Sequence, residues 1–312
     1  MIKINKPKFW DKKSINFFSL ILLPLSLITL FLVFSKKIFG KKKIFNIPII
    51  CIGNIYIGGT GKTPTAILIA KELLNSGVKS AILCKYYRGH IDEYKLIKNN
   101  FKDLILNKNR VEGIIEAEKK GYEILILDDG LQEYKIKKDC SIVCFNHDQK
   151  IGNGFVLPAG PLRESLRSLE NANIVLINGS KDLNFEKKLF EYNKKIQIYY
   201  SNYKPTNLDK FKNHKLLALA GIANPENFFK LLEKNNLQIE ERLIFPDHYN
   251  FTKEEIVNII NKAEKKKLKI IMTEKDYFKI NDYNLNKLDY LKVNLEIHNK
   301  VKFFESVRKL YD

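Results

Sequence analysis

Arginine is scarce in this chain of 312 residues: it supplies six of the 54 basic side chains, and lysine supplies the rest. The formal net charge of +19 would by itself suggest binding to nucleic acid or to an anionic membrane. Arginine is the residue favoured for bidentate phosphate contacts, and an excess of lysine over arginine is typical of an AT-rich genome. We therefore predict no nucleic-acid partner and retain only contact with a membrane surface.

Cysteine and histidine are also rare, with four and five residues respectively. The cysteines are Cys51, Cys84, Cys140 and Cys144. All four occur in apolar, strand-like stretches without a Cys-x-x-Cys pair, which indicates buried free thiols in a reducing compartment. The histidines show no zinc-binding spacing. Hydrophobic residues make up 45% of the chain, and this content excludes disorder.

A long uncharged stretch covers residues 14–35 and is flanked on both sides by lysines. Its core, residues 17–34, is mostly Leu, Ile and Phe, and it is long enough to span a bilayer. No small-residue cleavage site follows it, so we predict an uncleaved membrane anchor over residues 1–43. Pro24 and the flanking lysines leave two arrangements open, a single crossing and a helix in the interface. A buried core helix is the less favoured alternative.

The most informative motif is Ile-Gly-Gly-Thr-Gly-Lys-Thr-Pro at residues 57–64. It lies between an apolar run at 47–52, typical of a buried parallel strand, and helical apolar spacing at 66–74. The glycines let backbone N–H groups surround phosphate, while Lys62 adds a cation and Thr63 binds Mg²⁺. Tyr56 replaces the usual first glycine, and a glycine-rich packing turn is the alternative. The predicted nucleotide-binding residues are Tyr56, Ile57, Gly58, Gly59, Thr60, Gly61, Lys62 and Thr63.

Two carboxylates, Asp128 and Asp129, come directly after an apolar run at 124–127. P-loop enzymes place a magnesium-binding aspartate in this position, at the carboxyl end of a strand beside the loop. Charges at the end of a buried strand are otherwise costly to desolvate. We therefore predict a Mg²⁺ site formed by Thr63, Asp128 and Asp129, with an ordinary Asp-Gly turn as the alternative.

Strand-like and helix-like segments alternate along the rest of the chain. Strands are predicted at 80–84, 124–127, 141–145, 174–177, 216–220 and 270–272, and helices at 110–120, 225–234 and 253–267. Such alternation predicts an α/β fold, with a P-loop NTPase-like parallel sheet flanked by helices. A polar stretch at 201–213 divides the predicted P-loop domain, 44–203, from a smaller C-terminal α/β domain, 204–312.

Further motifs follow the P-loop in a characteristic order. They are Asp128-Asp129-Gly130-Leu131-Gln132, Gly152-Asn153-Gly154, Leu157-Pro158-Ala159-Gly160-Pro161-Leu162-Arg163-Glu164, Ala220-Gly221-Ile222-Ala223-Asn224-Pro225, Phe245-Pro246-Asp247-His248 and Met272-Thr273-Glu274-Lys275-Asp276. Together with Gly53-Asn54 before the loop, this series resembles the tetraacyldisaccharide 4′-kinase family, the membrane-bound lipid A kinases of Gram-negative bacteria. The resemblance extends from Pro7-Lys8-Phe9-Trp10 to at least Asp276.

The resemblance implies transfer of the γ-phosphate of ATP, with Mg²⁺, to the 4′-hydroxyl of a tetraacyldisaccharide 1-phosphate, which gives lipid IVA. It also implies an enzyme at the cytoplasmic face of the inner membrane, anchored by its N-terminal helix. Arg163 is expected at the nucleotide and Glu164 at the metal. A pairing of these two side chains with each other is an equal alternative.

The family's catalytic aspartate and histidine align with Asp92, in the shortened stretch His90-Ile91-Asp92-Glu93, and with His248. These two residues and Lys62 form the predicted catalytic set. A sugar hydroxyl is a poor nucleophile at neutral pH, and a carboxylate oriented by an imidazole is a suitable general base for it. The two residues lie in different predicted lobes, so we expect the lobes to close over the substrates.

Three other function classes share some of these sequence features with the kinase. A membrane-associated P-loop ATPase that drives a protein partner would share the P-loop and the aspartate pair. A GTPase is less favoured, because neither Asn107-Lys108-Asn109-Arg110 nor Thr273-Glu274-Lys275-Asp276 matches the Asn-Lys-x-Asp motif of guanine specificity. A nucleic-acid-binding protein is suggested by charge alone, and weak, sequence-blind and salt-sensitive binding is expected of any chain this basic.

Overall fold

The computed structural model describes residues 7–11, 16–247 and 249–311. The strands within these ranges are β1 (Ile49–Gly53), β2 (Ser80–Lys85), β3 (Leu104–Asn107), β4 (Ile124–Asp128), β5 (Cys140–Asn146), β6 (Ile174–Asn178), β7 (Gln197–Pro205), β8 (Lys215–Ala220), β9 (Gln238–Ile244), β10 (Lys269–Thr273), β11 (Leu288–Leu291) and β12 (Val293–Ile297). The α-helices are α1 (Phe17–Phe39), α2 (Lys62–Asn75), α3 (Ile91–Asn100), α4 (Arg110–Lys119), α5 (Leu183–Phe190), α6 (Pro225–Lys234), α7 (Lys253–Lys265), α8 (Glu274–Ile280) and α9 (Lys300–Arg308). Every strand and helix predicted from the sequence forms, with limits that differ by a few residues.

The larger sheet has eight strands in the order β12-β7-β6-β5-β1-β4-β2-β3. The pairings from β3 through to β7 are all parallel. All residues of β1, β4 and β5 are buried, which explains why these strands are nearly continuous apolar runs. The predicted fold class, a parallel sheet flanked by helices in the manner of P-loop NTPases, is confirmed.

The smaller sheet has four parallel strands in the order β11-β10-β8-β9. Apolar side chains pack on both of its faces: one core includes Phe229 of α6, and the other includes Ile256 of α7. The helix α7 begins at a capping box in which Thr252 and Glu255 exchange side-chain and backbone hydrogen bonds. This sheet forms the predicted second α/β segment.

The chain divides into two compact units whose limits differ from a simple division in sequence order. The smaller unit combines Tyr87–Lys102 with Tyr203–Leu295, so that α3 belongs with the four-stranded sheet. The larger unit contains the described residues before 87, together with Asp103–Asn202 and residues 296–311. The predicted domain limits stay predictions.

The apolar segment near the N-terminus forms the 23-residue helix α1. Its most apolar 18 residues have a mean hydropathy of 2.6, and only 11% of them are buried. Its length and composition suffice to cross a membrane. Its two buried residues are serines. Ser26 Oγ donates to the carbonyl of Val156 at 2.8 Å and accepts from the amide of Ala159 at 3.0 Å, and Ser19 Oγ accepts from Asn153 Nδ2 at 3.1 Å. One face of this helix is therefore joined by hydrogen bonds to the rest of the larger unit.

Replacing Ser26 with alanine is expected to lower the free energy of unfolding by about 2 kcal/mol, because the buried groups of Val156 and Ala159 lose their partner. Denaturant unfolding in detergent micelles measures this change. Ser35→Ala is the matched control, since Ser35 Oγ bonds to Phe31 of its own helix at 2.9 Å. Equal stability of the two variants would contradict the docking of α1 through Ser26.

Candidate functional site

The P-loop follows β1 and leads directly into α2. Gly58 has φ 116° and Gly61 has φ 93°, so both occupy the left-handed region where a side chain is disfavoured. Asn54 Nδ2 donates to the carbonyl of Gly58 at 3.1 Å, and the amide of Ile57 donates to the carbonyl of Pro161 at 2.8 Å. The loop is thus held at both sides, with the N-terminus of α2 presented to a bound anion.

Tyr56 was predicted to bind nucleotide, and its side chain lies inside the larger unit. It is fully buried within an apolar cluster, and its hydroxyl donates to Asp11 Oδ1 at 2.8 Å. Burial, with the hydrogen bond to Asp11, raises the pKa of Tyr56 above its ordinary value. Only the backbone of Tyr56 is therefore available at the P-loop. Its ring packs in the core and anchors the first residue of the loop there.

Two other loop side chains differ in their environment. Thr60 is 2% exposed, and its hydroxyl is a buried polar atom without a hydrogen-bond partner among the described residues. A buried hydroxyl of this kind costs free energy until a ligand or water satisfies it. The side chain of Ile57 is exposed. The hydroxyl of Thr60 is therefore a buried donor within the loop that no described residue satisfies.

Two of the predicted metal ligands are in contact: Thr63 lies in the first turn of α2, and Asp128 is the last residue of β4. Thr63 Oγ1 donates to Asp128 Oδ2 at 2.8 Å, because β1 and β4 are adjacent and parallel. Asp128 is buried, and its carbonyl accepts from Arg110 Nη2 at 3.1 Å. Among the described residues no group of three or more His, Cys, Asp or Glu side chains is arranged as a metal site. A hydroxyl and one or two carboxylates nevertheless suit Mg²⁺, which keeps several waters and binds substrate phosphates.

Asp129 is surrounded by cations. Arg163 Nη1 donates to its two carboxylate oxygens at 2.8 and 3.0 Å, and Lys62 Nζ lies 3.9 Å from Oδ1. Burial raises the pKa of Asp129, but Lys62 and Arg163 outweigh burial and bring the pKa below its ordinary value. Arg163 and the P-loop lysine thus share Asp129 as a partner, and Arg163 pairs with Asp129 rather than with Glu164. Its role at the nucleotide stays a prediction.

Glu164, a predicted metal ligand, is 1% exposed and is bound by other side chains. Its Oε1 accepts from Gln132 Nε2 at 2.8 Å. Its Oε2 accepts from the hydroxyl of Tyr134 at 3.0 Å and lies 2.8 Å from Lys37 Nζ of α1. Both carboxylate oxygens therefore have protein partners, and the ion pair joins the end of α1 to the segment that carries Arg163.

The predicted base, Asp92, lies in the first turn of α3, in the smaller unit. It is 5% exposed, and its Oδ2 lies 3.7 Å from Lys275 Nζ and 3.8 Å from Lys279 Nζ. Both lysines belong to α8, which packs against α3. The two ammonium groups oppose the cost of burying this carboxylate.

Lys275 also contacts two further carboxylates. Its Nζ donates to Glu93 Oε1 at 3.1 Å and to Asp247 Oδ1 at 3.3 Å. Burial lowers the pKa of Lys275, but Glu93, Asp247 and Asp92 outweigh burial and raise the pKa. The predicted partner of the base, His248, lies outside the described residues, while its neighbour Asp247 takes part in this cluster.

Sequence reasoning missed several residues of these sites. Arg110 donates hydrogen bonds to the carbonyls of Asp128 and Asp129. No motif around it in the sequence indicated this role, and arginine was notable only because it is rare. Lys275 occurred in a quoted motif without an assigned role. Lys279 had no signal, since an exposed helical lysine has the same local pattern as one that is 7% exposed.

The fold and the P-loop geometry define the class: the chain is a P-loop nucleotide-binding protein with an α/β sheet. The family model described as tetraacyldisaccharide-1-P 4′-kinase matches residues 18–312. Two similar curated proteins are named tetraacyldisaccharide 4′-kinase: one from Pelagibacter ubique is 40% identical, and one from Rickettsia bellii is 35% identical, each over 99% of both chains. The chain belongs to the tetraacyldisaccharide-1-P 4′-kinase family, and it is therefore a kinase of lipid A biosynthesis.

A solved structure is similar over nearly the whole fold. It is the crystal structure of LpxK from Aquifex aeolicus in complex with ATP, at a TM-score of 0.71 and 22% identity, covering 94% of this chain and 99% of that one. At this identity the likeness concerns the fold.

Proposed function

We propose that the chain transfers the γ-phosphate of ATP to the 4′-hydroxyl of a tetraacyldisaccharide 1-phosphate and so forms lipid IVA. Membership of the kinase family supports the reaction. The observation that carries the assignment of the site is the contact of Thr63 with Asp128 at 2.8 Å, directly after a P-loop whose glycines adopt left-handed conformations. This is the arrangement in which P-loop enzymes hold a nucleoside triphosphate with its metal.

The P-loop residues are proposed to bind the phosphates of ATP. Backbone N–H groups from Gly58 to Thr63 and the ammonium of Lys62 would bind the β- and γ-phosphate oxygens. The buried, unsatisfied hydroxyl of Thr60 supports a phosphate at this place. Arg163, which shares Asp129 as a partner with Lys62, is proposed to bind the same triphosphate.

Mg²⁺ is proposed to bind at Thr63 and Asp128, with Asp129 next to them. When bound, the ion neutralises charge on the transferring phosphoryl group. The oxygen donors of these side chains fit the preference of Mg²⁺ for hard ligands. Glu164 is left out of this proposed set, because Lys37, Gln132 and Tyr134 occupy its two oxygens.

Asp92 is proposed as the general base that accepts the proton of the sugar hydroxyl, and His248 as the residue that orients it. The placement of Asp92 supports this role, because the ammonium groups of Lys275 and Lys279, 3.7 and 3.8 Å from its Oδ2, oppose the cost of burying a carboxylate. Helix α1 is proposed to anchor the enzyme at the cytoplasmic face of the inner membrane, where ATP is present and the lipid is embedded. Its large exposed apolar side chains support this anchor.

The test is transfer of labelled γ-phosphate from ATP to a tetraacyldisaccharide 1-phosphate in mixed micelles, followed by thin-layer chromatography. We expect a new labelled lipid that disappears when EDTA removes Mg²⁺ and returns when Mg²⁺ is restored, because phosphoryl transfer needs the charge of the ion. Hydrolysis of ATP without a labelled lipid would instead favour the partner-driven ATPase. Hydrolysis stimulated by membrane extracts but not by the lipid would identify that alternative.

A further inference from the structure

A cluster of opposite charges lies at the contact of α3 with α8, within the smaller unit. The described members from α3 are Asp92 and Glu93, those from α8 are Lys275, Asp276 and Lys279, and Asp247 comes from the segment after β9. His90 faces the same cluster through Nδ1, which lies 3.1 Å from Glu93 Oε2. Four carboxylates thus share two ammonium groups.

The two lysines have different partners. Lys279 Nζ donates to Asp276 Oδ1 at 2.7 Å and to the carbonyl of Gly221 at 3.0 Å, and Asp276 is fully buried. Loss of Lys279 would leave Asp276 as a buried charge without its cation, a change that destabilises the fold. Lys279 is therefore foremost a structural residue.

Lys275 is placed differently, because its partners are Asp92, Glu93 and Asp247. These three carboxylates come from two separate segments, and Asp247 directly precedes the proposed orienting residue His248. The ammonium of Lys275 lies within 3.1 to 3.7 Å of all three. Its charge offsets the repulsion between these carboxylates, and Lys279 Nζ, 3.8 Å from Asp92 Oδ2, adds to this effect at Asp92.

We propose that Lys275 is a positioning residue of the transfer reaction, which keeps Asp92 ionised and holds its carboxylate in place for the sugar hydroxyl. This inference rests on the proposed function, in which Asp92 is the base. No role in binding the lipid is assigned to Lys275. Its contribution acts through Asp92 and is therefore visible in the pH dependence of the rate.

The sign of the effect follows from the charges. A general base works only when it is deprotonated, so kcat falls as the pH falls through its titration. Removing a cation disfavours the charged form of a neighbouring carboxylate, and protonation of the base then begins at higher pH. We expect the acidic limb of the kcat profile of Lys275→Gln to move up by about one pH unit, with little change in KM for ATP or lipid.

Matched variants separate positioning from structure. Lys275→Arg retains the charge, and the acidic limb of its kcat profile is expected to lie close to that of the unchanged enzyme. Lys95→Gln is the control, since Lys95 of α3 pairs with Asp282 at the surface. The pH profile of this variant is expected to match that of the unchanged enzyme. Glu93→Gln removes a neighbouring negative charge and is expected to move the limb to lower pH, a result that does not depend on the folding of Lys275→Gln.

The outcomes separate the inference from the proposed function. An unchanged acidic limb in both Lys275→Gln and Glu93→Gln, while Asp92→Asn is inactive, overturns the positioning role alone. A raised KM for lipid with unchanged kcat in Lys275→Gln also overturns it, because Lys275 would then contact substrate. Normal transfer by Asp92→Asn overturns the assignment of the base itself.

Discussion

Lys62→Ala is expected to lower the rate of phosphate transfer by about a thousandfold, the size of effect seen when a preorganised charge-stabilising group is removed. Lys62 begins α2 at the end of the P-loop, and its side chain is 13% exposed beside Asp129. Its ammonium is proposed to bind the terminal phosphates, where negative charge is concentrated during transfer. Both a higher KM for ATP and a lower kcat are expected.

Initial rates of labelled lipid formation measure this effect. Lys119→Ala is the matched control, because Lys119 is an exposed lysine of α4 in the same unit, and its loss is expected to leave the rate unchanged. Thermal unfolding of both variants shows that the fold is kept. Normal ATP use by Lys62→Ala would refute the assignment of residues 57–64 as the nucleotide-binding loop.

Asp92→Asn is expected to lower kcat by about 10³-fold while ATP binds with unchanged affinity, since general bases contribute on the order of 10²–10⁴. The amide has nearly the shape of the carboxylate and cannot take the proton of the sugar hydroxyl. The substitution also removes one of the four negative charges in the cluster with Lys275 and Lys279, so stability is expected to hold. ATP affinity is measured separately with a non-hydrolysable analogue.

Asp282→Asn is the control for this variant. Asp282 is an exposed carboxylate of the smaller unit that pairs with Lys95, and we expect its replacement to leave kcat unchanged. Transfer at the normal rate by Asp92→Asn would show that the shortened stretch at residues 90–93 was aligned wrongly with the family, and Glu93 would be the next residue to replace.

The P-loop and the central strands were predictable because their signals are local. A buried parallel strand needs an apolar run, and a phosphate loop needs glycines at fixed spacing, as at Gly58 and Gly61. The same rule placed Asp128 correctly at the end of β4. Local pattern and global fold agree at these positions, which is why one sequence sufficed.

Tertiary contacts decided the features that the sequence did not reveal. Helix α3 lies in sequence between β2 and β3 of the larger sheet, yet it belongs to the smaller unit. The pairs that hold it, such as Asp92 with Lys275, join residues far apart in sequence, so no local window contains them. Tyr56 likewise carries the sequence position of a loop glycine, and only packing places its ring in the core.

The two serines of α1 have a consequence for attempts to make a soluble enzyme. Ser19 and Ser26 are two turns apart, so the face of α1 that makes these hydrogen bonds extends along about 10 Å of the helix. It covers the carbonyl of Val156 and the amide of Ala159. A chain that lacks this helix would expose to water the backbone groups that Ser26 satisfies and the apolar side chains around them. The helix proposed as the membrane anchor is therefore also part of the structure of the larger unit, and a foreign apolar segment of equal length would lack the serines that make these hydrogen bonds.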